Sequence, residues 1–95
     1  MDIRDLRYII ALNDCGTLTR AAERLHMSRQ AVAKAVRGVE AEAGARLFER
    51  IDAGYVPTER GEELVQGGRR VMAAFDQLCE RTLRHPGGAP DARGE

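Results

Sequence analysis

The chain predicts a mainly α fold: a three-helix core, a short β-hairpin beside it and one long helix after it. Three patterns carry that prediction. Apolar residues recur at helical spacing in three successive short segments, each ended by a glycine or a tight turn. Residues 46–56 abandon that period and alternate about Asp52-Ala53-Gly54, the pattern of two strands and a turn. From Glu59 the apolar residues repeat in sevens, as in a helix with a seam along one side.

The elements follow in order. Asp2 caps a first helix from Ile3 to about Asp14. Ile3, Leu6, Ile10 and Asn13 share one face of it, with Ile9 and Leu12 alongside, and Gly16 ends it. Thr17 or Thr19 caps a second helix that runs to about Leu25, with Leu18, Ala21, Ala22 and Leu25 as its apolar stripe. His26-Met27-Ser28 forms the turn, and His26 is read as a structural residue in left-handed backbone. Ser28 caps a third helix to about Ala43, striped by Val32, Val36, Val39 and Ala43 and stopped by Gly44.

Arg46-Leu47-Phe48-Glu49-Arg50 then reads as a short strand and Tyr55-Val56 as its return, closed by Pro57, which cannot extend a paired strand. Thr58 caps the long helix, expected from Glu59 to Arg84. Its repeats are Leu64, Val71, Leu78; Val65, Met72, Cys79; and Gly68, Phe75, Thr82. Gly67-Gly68 should cost about 2 kcal/mol against alanine, and serves as a hinge or as a place of close helix approach. Glu80 and Arg84 stand four apart in the favourable order. Residues 85–95, rich in Pro and Gly, are expected to be disordered.

Composition narrows the function. The 95 residues suit one domain, and no apolar run is long enough to span a membrane. The first ten residues carry Asp2, Arg4, Asp5 and Arg7, so they do not read as a signal peptide. Two cysteines make no disulfide framework, and a cytoplasmic protein is expected. With His26 and His85 they lack metal-ligand spacing, and no cofactor is expected. Cys79 lies near the heptad seam, where it reads as an inert thiol, or as one able to join two copies on oxidation. No nucleophile with its base, no paired catalytic carboxylates and no phosphate loop occur, so an enzyme is not expected.

Net charge is zero, but its distribution is uneven. Between residues 20 and 37 lie Arg20, Arg24, Arg29, Lys34 and Arg37 against Glu23 alone, while acid collects at Glu40, Glu42, Glu59, Glu62 and Glu63. A helix pair that buries valines on one side and shows Arg29, Gln30, Ala33, Lys34 and Arg37 on the other suits the major groove of DNA. Arg37 has an alternative partner in Glu40. A basic face of this kind also suits an acidic protein partner.

The long helix outruns the core that the first 57 residues can build, so its seam is expected to meet the same helix of a second copy. The expected seam is Leu64, Val65, Gly68, Val71, Met72, Phe75, Leu78 and Cys79.

The motifs MDIRDLRYIIAL, GTLTRAAERLHMS, AV-x-K-x-V-R-x-V-E, G-x-RLFER and T-x-x-G at Thr58 to Gly61 resemble, in order and spacing, the N-terminal domain of LysR-type transcriptional regulators. The LFER segment fits that family better than the molybdate-responsive regulators, which share the helix pattern. The resemblance covers residues 1 to about 84. It implies a winged helix-turn-helix over residues 1–57, a linker and dimerisation helix over 58–84, and a tail over 85–95. It further implies a cytoplasmic, nucleoid-associated bacterial homodimer on interrupted palindromes of double-stranded DNA near promoters, with RNA polymerase as a further partner.

The implied DNA-binding set is Thr19, Arg20, Ser28, Arg29, Gln30, Ala33, Lys34, Arg37 and Arg50. Arg29 stands where the family usually has Gln, Gln30 where Pro or Ser is usual, and Ala33 where Ser is usual. Ala53 replaces a basic residue often found at the wing tip, and Pro57 replaces the usual Leu. The base-reading surface is therefore expected to select an unusual site, with weaker minor-groove contact by the wing. The family's effector domain does not follow in this sequence, so a stand-alone or truncated regulator, or one that pairs with longer relatives, is expected, with no small-molecule effector site.

Overall fold

A computed structural model describes residues 1–83. It contains α1 (Ile3–Cys15), α2 (Leu18–Leu25), α3 (Arg29–Ala43), β1 (Phe48–Ile51), β2 (Gly54–Pro57) and α4 (Glu59–Thr82). The expected helix end at Arg84, the Glu80–Arg84 pair, His85 and the tail 85–95 lie outside the described residues.

Every helix begins where a polar side chain satisfies a first-turn amide. Asp2 and Asp5 form a reciprocal capping box, and Thr17, not Thr19, caps α2 by accepting from the Arg20 N–H. Ser28 accepts from the Ala31 N–H and Thr58 from the Gly61 N–H. Gly16 and Gly44 end α1 and α3 in left-handed backbone, and His26 does the same for α2 with φ 57°. His26 is thus a backbone residue of the turn, as its position predicts.

The core forms where α1, α2 and α3 meet. Ile9, Leu12, Ala21, Ala22, Val32, Val36 and Val39 are buried there. The buried face of α1 is therefore centred on Leu6, Ile9 and Leu12; Ile3 and Ile10, on the expected stripe, are only half-buried. Ala43 is exposed, because α3 has run past the core by its last turn.

Leu47 and Phe48, at 1% and 2% exposure, seal the core from the hairpin side. Strand β1 starts two residues later than expected. Pro57 lies within the pair, opposite Phe48, as the last residue of β2. Proline is tolerated there because it stands at a strand end in a two-stranded ribbon with open edges.

The core does not stop at residue 57. Val65 is 4% exposed within it, Gly68 is buried against Leu6 and Ile10, and Leu64 packs at its margin. The first half of α4 is a wall of the core, tied on by Asp14. Arg69 donates to Asp14 at 2.5 Å, and Arg24 lies 3.7 Å from the same carboxylate. The Arg69 hydrogen bond, helped by the charges of Arg69 and Arg24, holds the Asp14 carboxyl below its ordinary value. Arg7 meets Asp76 two turns further on, at 3.5 Å.

Val65 and Gly68 consequently leave the expected dimer seam: Val65 is buried in the core of its own chain and Gly68 lies against Leu6 and Ile10 of α1. Gly68 is the close-approach glycine, since a Cβ there would come within 2.8 Å of Leu6 Cδ1; Gly67 faces open space. The tightest junction is Gly61, where a Cβ would collide with the Leu47 carbonyl oxygen.

Gly61→Ala should therefore destabilise the fold by about 2 kcal/mol or more, through backbone displacement. Gly67→Ala, with free space and a gain in helix propensity, should stabilise by about 0.5–1 kcal/mol. Urea unfolding of the two variants against the parent checks both signs.

Candidate nucleic-acid interface

The α2–α3 turn sets the geometry of the outer face. Because Val32, Val36 and Val39 point inward, the opposite side of α3 is obliged to face water. Arg29, Gln30, Lys34 and Arg37 are all exposed, and Ala33 is half-buried between them. Gln30, Lys34 and Arg37 make no side-chain hydrogen bond or ion pair among the described residues. Arg29 is partly held, since its Nη1 donates to Thr19 Oγ1 at 3.3 Å, which links the start of α3 to the start of α2.

Ser28 spends its hydroxyl on the cap, accepting from Ala31 N–H at 3.0 Å. The amides of Arg29 and Gln30 precede the first intrahelical bond, Val32 N–H to the Ser28 carbonyl, and so point out of the helix end. Arg20 is exposed on α2. Arg24, by contrast, leaves the basic face of the sequence: it turns to Asp14 on the α4 side.

The hairpin stands beside this surface. A cleft of about 390 Å³ separates them, lined by Thr17, Thr19, Arg29, Gln30 and Ala33 on one wall and by Arg50, Asp52, Ala53 and Tyr55 on the other. Three contacts fix the hairpin there, two with Gly16 and one with Glu40. The Tyr55 N–H donates to the Gly16 carbonyl at 2.7 Å, and Gly54 (φ 146°) passes so close to Gly16 that a side chain would not fit. The Arg50 guanidinium lies over the Tyr55 ring, 5.6 Å from its centroid, which lays the cation along the cleft.

The third contact is Glu40. Its Oε2 accepts from the amides of Leu47 and Phe48 at 2.8 and 3.4 Å, with Arg46 at 3.9 Å. Glu40 is thus occupied at the base of the hairpin, and the alternative pairing of Arg37 with Glu40 is not formed.

Position alone thus brings the expected set together on one side: Thr19, Arg29, Gln30 and Ala33 against Arg50 across the cleft, with Lys34 and Arg37 along the helix. Asp52, Tyr55 and Glu40 were not anticipated. The Arg50–Tyr55 pairing was readable as the cross-strand neighbours of a two-residue hairpin loop. Glu40 required knowing where α3 ends relative to β1.

This is the architecture of a winged helix-turn-helix domain: a capped second helix of the pair open to solvent, and a hairpin wing beside it. The chain belongs to the lysR family of bacterial regulatory helix-turn-helix proteins, whose model matches residues 3–62. It is 34% identical over its whole length to the transcriptional regulator TfdT of Cupriavidus pinatubonensis, of which it spans 39%. It is similar to a solved complex of the CbnR DNA-binding domain with DNA (TM-score 0.81, 30% identity, 86% of this chain and 94% of that one). It is likewise similar to a BenM DNA-binding domain on its benA site 1 DNA (TM-score 0.82, 27% identity, 88% and 98%).

Glu40→Ala should loosen the wing by about 1–2 kcal/mol, the cost of two amides losing a charged acceptor. Faster hydrogen exchange confined to Leu47, Phe48 and the hairpin is the expected readout.

Proposed function

We propose that this chain binds double-stranded DNA sequence-specifically as a two-fold dimer and thereby regulates transcription. One observation carries the reading: the outer face of α3 presents Gln30, Lys34 and Arg37 exposed and uncommitted while its valines hold the helix by the other side. A helix with a free base-and-amide face fits a major groove.

Within that reading, Gln30 takes a base edge, with adenine the best match to its amide. Arg29, already leaning on Thr19, is pre-oriented toward a base or phosphate. Lys34, Arg37, Arg20 and Arg50 meet phosphates, Ala33 lets the helix approach closely, and Thr19 and Ser28 line the path of the backbone. Residues 1–57 carry the DNA contacts, and the far half of the long helix expected over 58–84 carries the pairing of copies. RNA polymerase is a further partner in this reading.

Pairing through α4 is supported by its far half. Val71, Phe75 and Leu78 are 50%, 37% and 58% exposed, beyond the reach of their own core, and Met72 and Cys79 are half-buried alongside. The seam is therefore shorter than the heptads suggested, running from about Val71 toward Cys79. Two α4 helices meeting there carry two α3 helices on one assembly, which suits paired half-sites.

Gln30→Ala should cost about 1–3 kcal/mol on the preferred duplex and relax choice at one position; equal loss on all duplexes would remove it from base reading. Lys34→Ala should lower the slope of log K against log salt by about one. Duplexes selected from a random pool supply the probe. Competitor DNA that fails to displace a bound protein partner would favour the protein-contact reading instead. Phe75→Asp should yield monomers in sedimentation; an unchanged dimer mass would place the seam elsewhere.

A further inference from the structure

We propose that Thr19 is a positioning residue that sets Arg29 to read a guanine in the major groove. This rests on the DNA-binding reading above and settles on a base, not a phosphate, for Arg29. Arg29 is the first residue of α3, and its Nη1 donates to Thr19 Oγ1 at 3.3 Å across the α2–α3 turn. Thr19 lies in the first turn of α2, but Thr17 supplies the cap there, so the Thr19 hydroxyl is not spent on its own helix. Both side chains are exposed, where a duplex can reach them.

The bond through Nη1 leaves the other edge of the guanidinium, Nε and Nη2, with two parallel donors. Among the described residues that edge has no partner, and no carboxylate pairs with Arg29. Lys34 and Arg37, the other cations of α3, are held by nothing in the described chain. Arg29 is thus the cation of this helix that is given a direction.

Direction matters only to a directional acceptor. A guanidinium only donates, and the major-groove edge of guanine alone shows it two neighbouring acceptors, O6 and N7; adenine sets an N6 donor beside its N7. A phosphate accepts from many directions, so the unheld Lys34 serves it as well as a held fork would. Residues at the start of a recognition helix are also those that meet base edges. Thr19 removes in advance part of the rotamer freedom that Arg29 gives up on pairing with the base.

The test replaces each guanine of a selected duplex in turn by 7-deazaguanine, which deletes the N7 acceptor and keeps the base pair. Fluorescence anisotropy gives the affinity ratio of the two duplexes for one protein, so a loss of folded fraction cancels. One guanine per half-site should cost the parent about fivefold to tenfold. Arg29→Ala should be indifferent at that guanine. Thr19→Val, which keeps the shape and deletes the hydroxyl, should cut the ratio to about twofold, and Thr19→Ser should restore it. A parent indifferent at every guanine, or Arg29→Ala with the parent's ratios, overturns the guanine assignment; a salt slope lowered by about one with those ratios unchanged would give Arg29 to a phosphate. Thr19→Val with the parent's ratio overturns the positioning role. Each of these leaves DNA binding intact, whereas failure of the parent to bind any selected duplex overturns both readings.

Discussion

The fold depends on the chain crossing at Leu47 and Phe48. Both side chains are almost fully withdrawn from water, so their backbone must find polar partners inside the protein. Glu40, from the last turns of α3, takes the two amides. Thr58, opening α4, donates its own N–H to the Leu47 carbonyl at 2.9 Å and its hydroxyl to the Arg46 carbonyl at 2.8 Å. Gly61 lets α4 settle onto the same carbonyl. One buried dipeptide thus sets the places of α3, the hairpin and the long helix relative to each other.

That crossing divides α4 into two parts with different physics. Its first half is a core wall, closed by Val65 and Gly68 and latched by Arg69 on Asp14. Its second half has apolar residues and no core of its own to bury them. A rigid first half gives the second a fixed direction, so whatever binds there is held at a set distance from α3. At about 1.5 Å per residue, 24 residues extend about 36 Å, comparable to one turn of DNA.

Charge placement follows the same division. The α3 face holds free cations and amides, whereas Arg7, Arg24 and Arg69 are committed to carboxylates between α1, α2 and α4. Among the described residues, the cations on the outer face have no such partners apart from the Arg29 contact with Thr19 and the Arg50 contact with the Tyr55 ring. The arginines that brace α1, α2 and α4 are in this way a separate set from those on the α3 face.

Local physics made much of this legible in the residues themselves. Caps, left-handed turn positions and 3.6-residue stripes act within a few residues of each other, so Asp2, Ser28, His26, Gly44 and Thr58 could be placed from their neighbours alone. The outward set of α3 followed once its valines were assigned inward. What the residues could not convey were contacts between distant segments. A heptad written on α4 does not say which of its positions another part of the same chain already covers, and Val65 and Gly68 were covered. A +1 side chain does not announce its partner, so Arg24 read as part of the basic face until Asp14 claimed it. Glu40 bonding amides seven and eight residues on, and Gly61 against a carbonyl fourteen residues back, exist only because three elements converge. Sequence determined the elements and the exposed face of α3, because those depend on near neighbours. The tertiary structure alone decided the wing's seating and the extent of the free seam, because both depend on which surfaces are already in contact.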